Sequence, residues 1–410
     1  MIKPFVCAAT LLVLSLSACS DPRGSHIAVR DSAGIRIVEN ANRLWKSGEE
    51  WRVGADPSIR IGSVDGDDQG AQFSYVRGIG RLSDGRVVVL EGEAGEVRWF
   101  DADGQHLFTR GGRGEGPGEF TSANELLVLP GDTVLVRDAP RIKFVLYSSN
   151  GDFIREEFVD LNRYRELGQW MECLTGTLPD RSLLGCQREP GLPAPRAEPG
   201  HFRSYGRFAV ATSSFDTVYR LGVYGGIEQW GVGASNGRTA FFVHPFHSFT
   251  RLAIGGTPTR VAVALNPGYS IEVWTPDGQL EKIIRRVNAR RAATKAEHER
   301  AIELMRQYER GDPAFERALA EMEIPDSIPA IGNLAFGPDG EIWAARPSVM
   351  LEDPRIWDVF NGAGEYLGEV AGPPNFVIYN VGRDYVLGLR RGEFDVPFVE
   401  VYRLVRSGDQ

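Results

Sequence analysis

The chain has 410 residues, a formal net charge of −9 and a pI near 5.4, with 42% hydrophobic residues. That much apolar material supports a sizeable core, and 48 Gly with 24 Pro point to many tight turns. The acidic balance excludes a nucleic-acid partner, whose phosphates demand a basic face. It identifies no substrate.

Lys3 is the sole charge in the first eighteen residues, and the apolar run Phe5 to Leu16 is too short to span a bilayer. Leu16-Ser17-Ala18-Cys19 follows at the right distance and resembles the bacterial lipobox. The resemblance implies a signal peptide over 1–18 and lipidation of Cys19; an ordinary secretory signal with an incidental Cys is the other reading. Ser20 after the Cys is similar to lipoproteins sorted onward to the outer membrane. The expectation is a cell-envelope protein, anchored through its lipid in the outer membrane and facing the periplasm or cell surface. Residues 19–32, with Asp21, Pro22, Gly24 and Ser25, read as a flexible tether. No later segment is long and apolar enough to span.

From Phe73 onward a turn followed by a short apolar strand recurs. Asp84-Gly85 opens Val87-Val88-Val89-Leu90, Gly131-Asp132 opens Val134-Leu135-Val136, and Asp180 opens Leu183-Leu184. Pro258-Thr259 opens Val261-Ala262-Val263, Asp339-Gly340 opens Ile342-Trp343-Ala344, and Arg383-Asp384 opens Tyr385-Val386-Leu387. The markers Gly85, Gly131, Asp180, Pro258, Gly340 and Asp384 are mostly 44 to 49 residues apart, with gaps of 78 and 82 that must hold insertions. In the first repeat, Val76–Leu82, Arg86–Leu90, Glu96–Phe100 and Leu107–Arg110 read as four strands with tight turns. An aromatic residue stands four before a turn glycine in four repeats: Phe100 with Gly104, Tyr147 with Gly151, Trp274 with Gly278 and Phe360 with Gly364. Six four-stranded units at this period predict an all-β fold, a six-bladed β-propeller over 33–406. Its unbroken apolar second strands suit sheets covered on both faces.

Cys173 and Cys186 are what remain once Cys7 leaves with the signal and Cys19 is lipidated. Their midpoint falls between Pro179 and Asp180, so a hairpin turning there sets them opposite one another. A cross-strand disulfide is expected in an oxidising compartment; two buried free thiols are the alternative. The gap that follows holds the Pro-rich loop Pro190 to Pro199 and the Gly-rich stretch Gly222 to Gly237. The second gap holds a small helical hairpin over 287–326, inserted between blades 4 and 5. Thr294 with Glu297 forms a capping box, Ala301, Leu304, Met305 and Tyr308 share one face, and Asp312-Pro313 starts a second helix with Phe315, Ala318, Leu319 and Met322 as its stripe. The hairpin packs on the propeller rim or serves as a lid or partner element. The basic cluster Arg285, Arg286, Arg290, Arg291 and Lys295 reads as a solvated face balanced by later acids, with contact to anionic lipid as the alternative.

Gly116-Pro117-Gly118-Glu119-Phe120 and Gly372-Pro373-Pro374-Asn375-Phe376 share a GPxxF core before blades 2 and 6, and Gly70-Ala71-Gln72-Phe73 is a weaker copy before blade 1. The strand-like Ile59-Arg60-Ile61-Gly62 precedes blade 1, while the last repeat ends soon after Leu404. The N-terminal segment is therefore expected to supply an outer strand of the last blade and close the ring. The stretch from Gly112 to Phe120, with these turn strands, resembles the NHL-repeat type of six-bladed propeller and its bacterial lipoprotein relatives, over roughly Ile35 to Val405. The resemblance implies a structural crossover for the Gly-Pro loop and leaves function open among scaffolds, binders and enzymes.

Residues at inner-strand starts face the channel mouth, where propeller sites assemble. The candidates for ligand binding are Tyr75, Arg77, Asn124, Glu125, Trp170, His244 and Asn333. His244-Pro245-Phe246-His247 has a ligand spacing for a helix, not for a Pro-interrupted strand, and reads as a surface or core-edge pair. No nucleophile context stands beside any His, so no catalytic residue is nominated. Two functions stay open. One is a lipid-anchored, non-enzymatic module without a cofactor that binds or scaffolds an envelope protein or small ligand at the channel-mouth loops. The other is a metal-dependent hydrolase or lyase of the lactonase-like kind, for which Glu125, Asn333 and Asn375 are Ca2+ ligands by residue type.

Overall fold

Each of the six turn markers opens the second strand of its own antiparallel sheet in the computed structural model. The structure describes residues 27–63, 69–139, 142–160, 173–188, 200–214, 216–233, 239–243, 245–266, 268–287, 289, 291–350, 353–392 and 395–407. Blade 1 comprises Val76–Arg81, Val87–Glu91, Glu96–Phe100 and His106–Gly111. Blade 2 comprises Ala123–Leu129, Thr133–Asp138, Lys143–Tyr147 and Phe153–Phe158. Blade 3 has Cys173–Thr177, Leu183–Arg188, Gly200–Ala211 and Val218–Gly233, with Thr239–Val243 as a fifth strand. Blade 4 has Arg251–Gly255, Arg260–Leu265, Ser270–Trp274 and Leu280–Arg286. Blade 5 has Asn333–Phe336, Ile342–Ala345, Pro354–Phe360 and Tyr366–Pro374, and blade 6 has Phe376–Val381, Tyr385–Arg391 and Pro397–Val405. The chain is a six-bladed β-propeller.

The ring closes through the N-terminal segment. Arg52–Val53 and Ile59–Ile61 both pair antiparallel with Pro397–Val405, so the last blade loses its open edge. A second N-terminal element departs from expectation. The tether was expected to run to Ser32, yet Ile27–Ser32 and Ile35–Asn40 form a hairpin about Ala33 and Gly34, which have φ of 52° and 83°. Ile35–Asn40 adds in parallel to Leu280–Arg286 of blade 4. Ile27–Ser32 is an exposed edge strand, and edge strands carry the polar residues that also mark a tether. Asn40 fixes the hairpin. Its buried amide donates to the Gly364 carbonyl at 3.0 Å and accepts from the Tyr366 N–H at 2.8 Å, tying blade 4 to blade 5.

The core lies between neighbouring sheets. Val87 to Leu90, Val134 to Val136 and Val261 to Ala264 are fully buried, as two-sided sheets require. Phe120 of the Gly-Pro crossover packs with Trp99, Val134 and Tyr147 between blades 1 and 2, and the Tyr147 hydroxyl donates to the Gly118 carbonyl at 2.8 Å. Phe73 and Phe376 fill the matching places before blades 1 and 6. Burying each such ring contributes about 2 kcal/mol. Around the channel, small residues face large ones: a Cβ on Gly78 would lie 2.7 Å from the Leu126 Cβ, and one on Gly255 would lie 2.7 Å from the Phe336 Cβ. Adjacent inner strands therefore interlock closely.

Cys173 and Cys186 stand directly opposite in register and are joined by a disulfide. The Gly-rich stretch of the first long gap forms the long fourth strand of blade 3 as far as Gly233, and 234–237 lie outside the described residues. The Pro190 to Pro199 loop lies outside the described residues. The helices are α1, Lys295–Glu309, with the Thr294–Glu297 capping box, and α2, Pro313–Glu321, capped by Asp312. Phe315, Ala318 and Met322 pack on Val232 and Phe242 of blade 3, so an insertion that leaves blade 4 folds back onto blade 3. Tyr308 departs from the expected stripe: it is 83% exposed, because the partner surface ends one turn earlier, at Met305. Arg285, Arg286, Arg291 and Lys295 of the basic cluster pair with Glu39, Asp358, Glu297 and Glu299. Among the described residues no helix is long and apolar enough to cross a membrane.

Candidate functional site

Inner strands of adjacent blades run side by side in the same direction, so their first residues ring one mouth of the channel. Tyr75 and Arg77 come together there: the Arg77 guanidinium lies 4.2 Å from the Tyr75 ring centroid. Tyr379 of blade 6 joins this corner. Burial, and then the neighbouring Tyr75, push its phenol above the usual range. Asn124 follows on blade 2, and its buried Oδ1 meets no hydrogen-bond donor among the described residues.

Glu125 has a structural occupation. Its carboxylate accepts from Arg137 Nε at 2.7 Å, from the Thr177 N–H at 3.0 Å and from the Thr177 hydroxyl at 2.6 Å. It lines a 230 Å³ cavity deeper in the channel, with Thr175, Thr177 and Ile254. Asn333 lies elsewhere, in a cavity at the mouth, where its Oδ1 accepts the Leu334 N–H at 2.9 Å. The Asn375 amide donates to the Arg391 carbonyl at 2.9 Å. The three Ca2+ candidates are thus not gathered about one point. Among the described residues, no three His, Cys, Asp or Glu side chains are grouped to hold a metal ion. Trp170, His244 and Cys19 lie outside the described residues. His247 stacks on Phe249 with ring centroids 5.0 Å apart.

The cavity that holds Asn333 has a volume of 350 Å³ and opens between blades 4, 5 and 6. Arg251 enters from blade 4, Arg346, Ser348, Arg355 and Trp357 from blade 5, and Val377 from blade 6. A 160 Å³ compartment adjoins it, sharing Arg251, Gly332, Pro347 and Ser348. From Tyr379, midway along the inner strand of blade 6, a 450 Å³ cavity runs down the channel to Thr257, Phe336, Asn380 and Tyr385. Arg346 is held by the fully buried Asp358 at 2.7 Å and by Glu369; although burial opposes its charge, these partners raise its pKa. Arg251 and Arg355 instead have lowered values, and the cause is burial alone, which brings Arg251 to about 10. A search for metal ligands passes over Arg251, Arg355, Trp357 and Tyr379. The available signal was Arg251 opening an inner strand two residues after Phe249, with no acid nearby in sequence.

A family model described as a 6-bladed beta-propeller matches residues 73–170. No curated protein matches the chain. In fold the chain is similar to a member of the duf4221 family from Bacteroides vulgatus, at 11% identity over 88% of this chain and 99% of that one, with a TM-score of 0.48. It is similar to a Bacteroides fragilis protein thought to be exported, at 10% identity over 90% and 99% of the two chains, with a TM-score of 0.45. It is also similar to a gluconolactonase from Xanthomonas campestris, at 11% identity over 82% and 87%, with a TM-score of 0.37. Likeness at this identity is one of fold alone.

Proposed function

We propose that this protein is a lipid-anchored envelope propeller that binds a ligand at the mouth of its channel and performs no chemistry on it. The observation that carries the reading is the 350 Å³ mouth cavity, into which Arg251 and Arg355 bring charge that no carboxylate in its described lining offsets. A propeller gathers such a site one residue per blade on a rigid ring, which holds a ligand with little reorganisation. Tyr75, Arg77, Asn124 and Asn333 widen the contact surface around the mouth. The anchor is Cys19, in the outer membrane facing the periplasm or cell surface, with the partner a small ligand or an envelope protein.

The alternative, a metal-dependent hydrolase or lyase of the lactonase-like kind, would need Glu125 as a cation ligand. Its oxygens are already committed to Arg137 and Thr177, which weighs against that reading.

The test uses the full-length protein purified in detergent. The small-molecule fraction of an envelope extract should raise its melting temperature, and Val377→Trp, which fills the mouth, should abolish the rise. Calcium and chelator should leave melting unchanged. A chelator-sensitive melt would overturn the binding reading in favour of the enzyme. Cys19→Ser should move the protein from the membrane to the soluble fraction; continued membrane partitioning would overturn the anchor.

A further inference from the structure

The mouth cavity says more about its ligand than that one binds. Its arginines differ in how their charge is met. Arg346 is neutralised by Asp358 and Glu369. The Arg251 guanidinium lies 3.3 Å from the Phe249 ring centroid, and its buried Nε has no hydrogen-bond partner among the described residues. Arg355 donates to the Ser348 carbonyl at 3.3 Å and meets no carboxylate among the described residues. No Asp or Glu belongs to the described lining of either compartment. Taking a cation out of water without an anion costs several kcal/mol. An arginine left in that state is matched when a ligand supplies the charge.

Two further features define the ligand. The Trp357 ring, only 2% exposed, walls the same cavity. The adjoining 160 Å³ compartment is walled mostly by apolar side chains, Phe246, Phe249, Ile328, Ile331 and Val349, with His247 and Asn266 among them. A cationic, donor-rich compartment therefore opens directly onto an oily one, and Arg251 borders both. The volumes, 350 and 160 Å³, suit a small molecule rather than a polymer.

Resting on the binding reading above, we propose that the paired cavity is a site for a small amphiphilic oxyanion. Its phosphate or carboxylate is held by the forks of Arg251 and Arg355. Its aromatic or short aliphatic body enters the apolar compartment beneath Phe249. Charge selects the head and shape selects the body, so neither half alone should bind well.

Calorimetry on the full-length protein in detergent tests this, with phenyl phosphate and benzoate as probes and with inorganic phosphate and benzyl alcohol as their separated halves. At least one amphiphilic anion should bind about tenfold or more tightly than either half, Arg251→Gln and Arg355→Gln should each weaken it about tenfold, and Arg355→Gln, outside the apolar compartment, should leave benzyl alcohol unchanged. If Arg251→Gln does not fold, Arg355→Gln decides alone. Anions that bind no better than benzyl alcohol, or whose binding ignores both arginines, would overturn the proposal. In that event a melting rise with envelope extract, abolished by Val377→Trp, would leave the binding reading standing. Its absence would bring down both.

Discussion

The polar groups of blades 1 and 2 and those of blades 4 to 6 are treated differently, although the blades share one architecture. In the first region every prominent buried charge is answered from within. Glu91, at the end of a second strand, accepts the backbone N–H groups of Tyr75 at 2.8 Å and Ala94 at 2.6 Å. Asp138, at the corresponding end in blade 2, accepts those of Thr121 at 3.0 Å and Ser122 at 2.6 Å. Arg137 meets Glu125, and Lys143 donates to the Glu119 carbonyl at 2.6 Å. These carboxylates latch the loops that lead into the inner strands. Across the ring, Asp358 gathers Tyr269, Tyr366, Arg286 and Arg346, yet Arg251 and Arg355 of blades 4 and 5 meet no described carboxylate. Carboxylates answered by their neighbours mark structure, and a pair of buried cations without a carboxylate marks a place for charge that comes from outside.

The largest way to break this contrast is at Asp358, which is fully buried. Asp358→Ala strands the Tyr269 hydroxyl and leaves Arg286, Arg346 and Tyr366 to share Glu369, and should lower the unfolding free energy by about 3 kcal/mol in a urea titration. The disulfide comes next. Cys173 and Cys186 are separated by 13 positions, and Cys173→Ser should destabilise by about 3 kcal/mol through the chain entropy of the unfolded state. Smaller still is a pH effect at the helical insertion. The Arg291 guanidinium bonds Glu297, and although burial opposes this, it and the Thr294 cap bring the carboxyl from 4.5 to about 2. A carboxyl depressed on folding stabilises the protein above its unfolded pKa, and that contribution is lost as pH falls through the folded one. The difference in stability between wild type and Glu297→Gln should therefore shrink between pH 4.5 and about 2 and stay constant above that window. A difference that persists unchanged to the acid end would rule out the pairing.

The scaffold was legible in sequence because its signals are local. Gly104, Gly151, Gly278 and Gly364 adopt φ between 76° and 89°, a region closed to most side chains, so each turn had to be written with glycine. Cys173 and Cys186 are related by the symmetry of a hairpin, which spacing alone reveals. Exposure hid other elements. Ile27–Ser32 is an edge strand with polar residues, and Tyr308 completes a helical stripe that has no surface to meet. The mouth cavity was illegible for a different reason. Arg251 and Arg355 come from different blades and matter for what they lack, and a missing carboxylate has no sequence motif. Tyr75 and Arg77 could be found because a single inner-strand start supplies both.

The finest test sets Arg137 against Arg355. Both are arginines near the channel, but Arg137 is answered by Glu125 and Arg355 by no described carboxylate. Arg137→Gln leaves a partly buried carboxylate without its cation and should cost about 2–3 kcal/mol. Arg355→Gln relieves a desolvated charge, so the ligand-free protein should change by less than about 0.5 kcal/mol or become more stable. Residues kept for a ligand are rarely optimal for the empty fold, which is why removing one need not weaken it. If urea titration shows the two variants equally destabilised, Arg355 has a structural partner and the contrast between the two halves of the ring fails. If Arg355→Gln is neutral while its affinity for phenyl phosphate or benzoate falls, the charge at the mouth is held for an incoming anion.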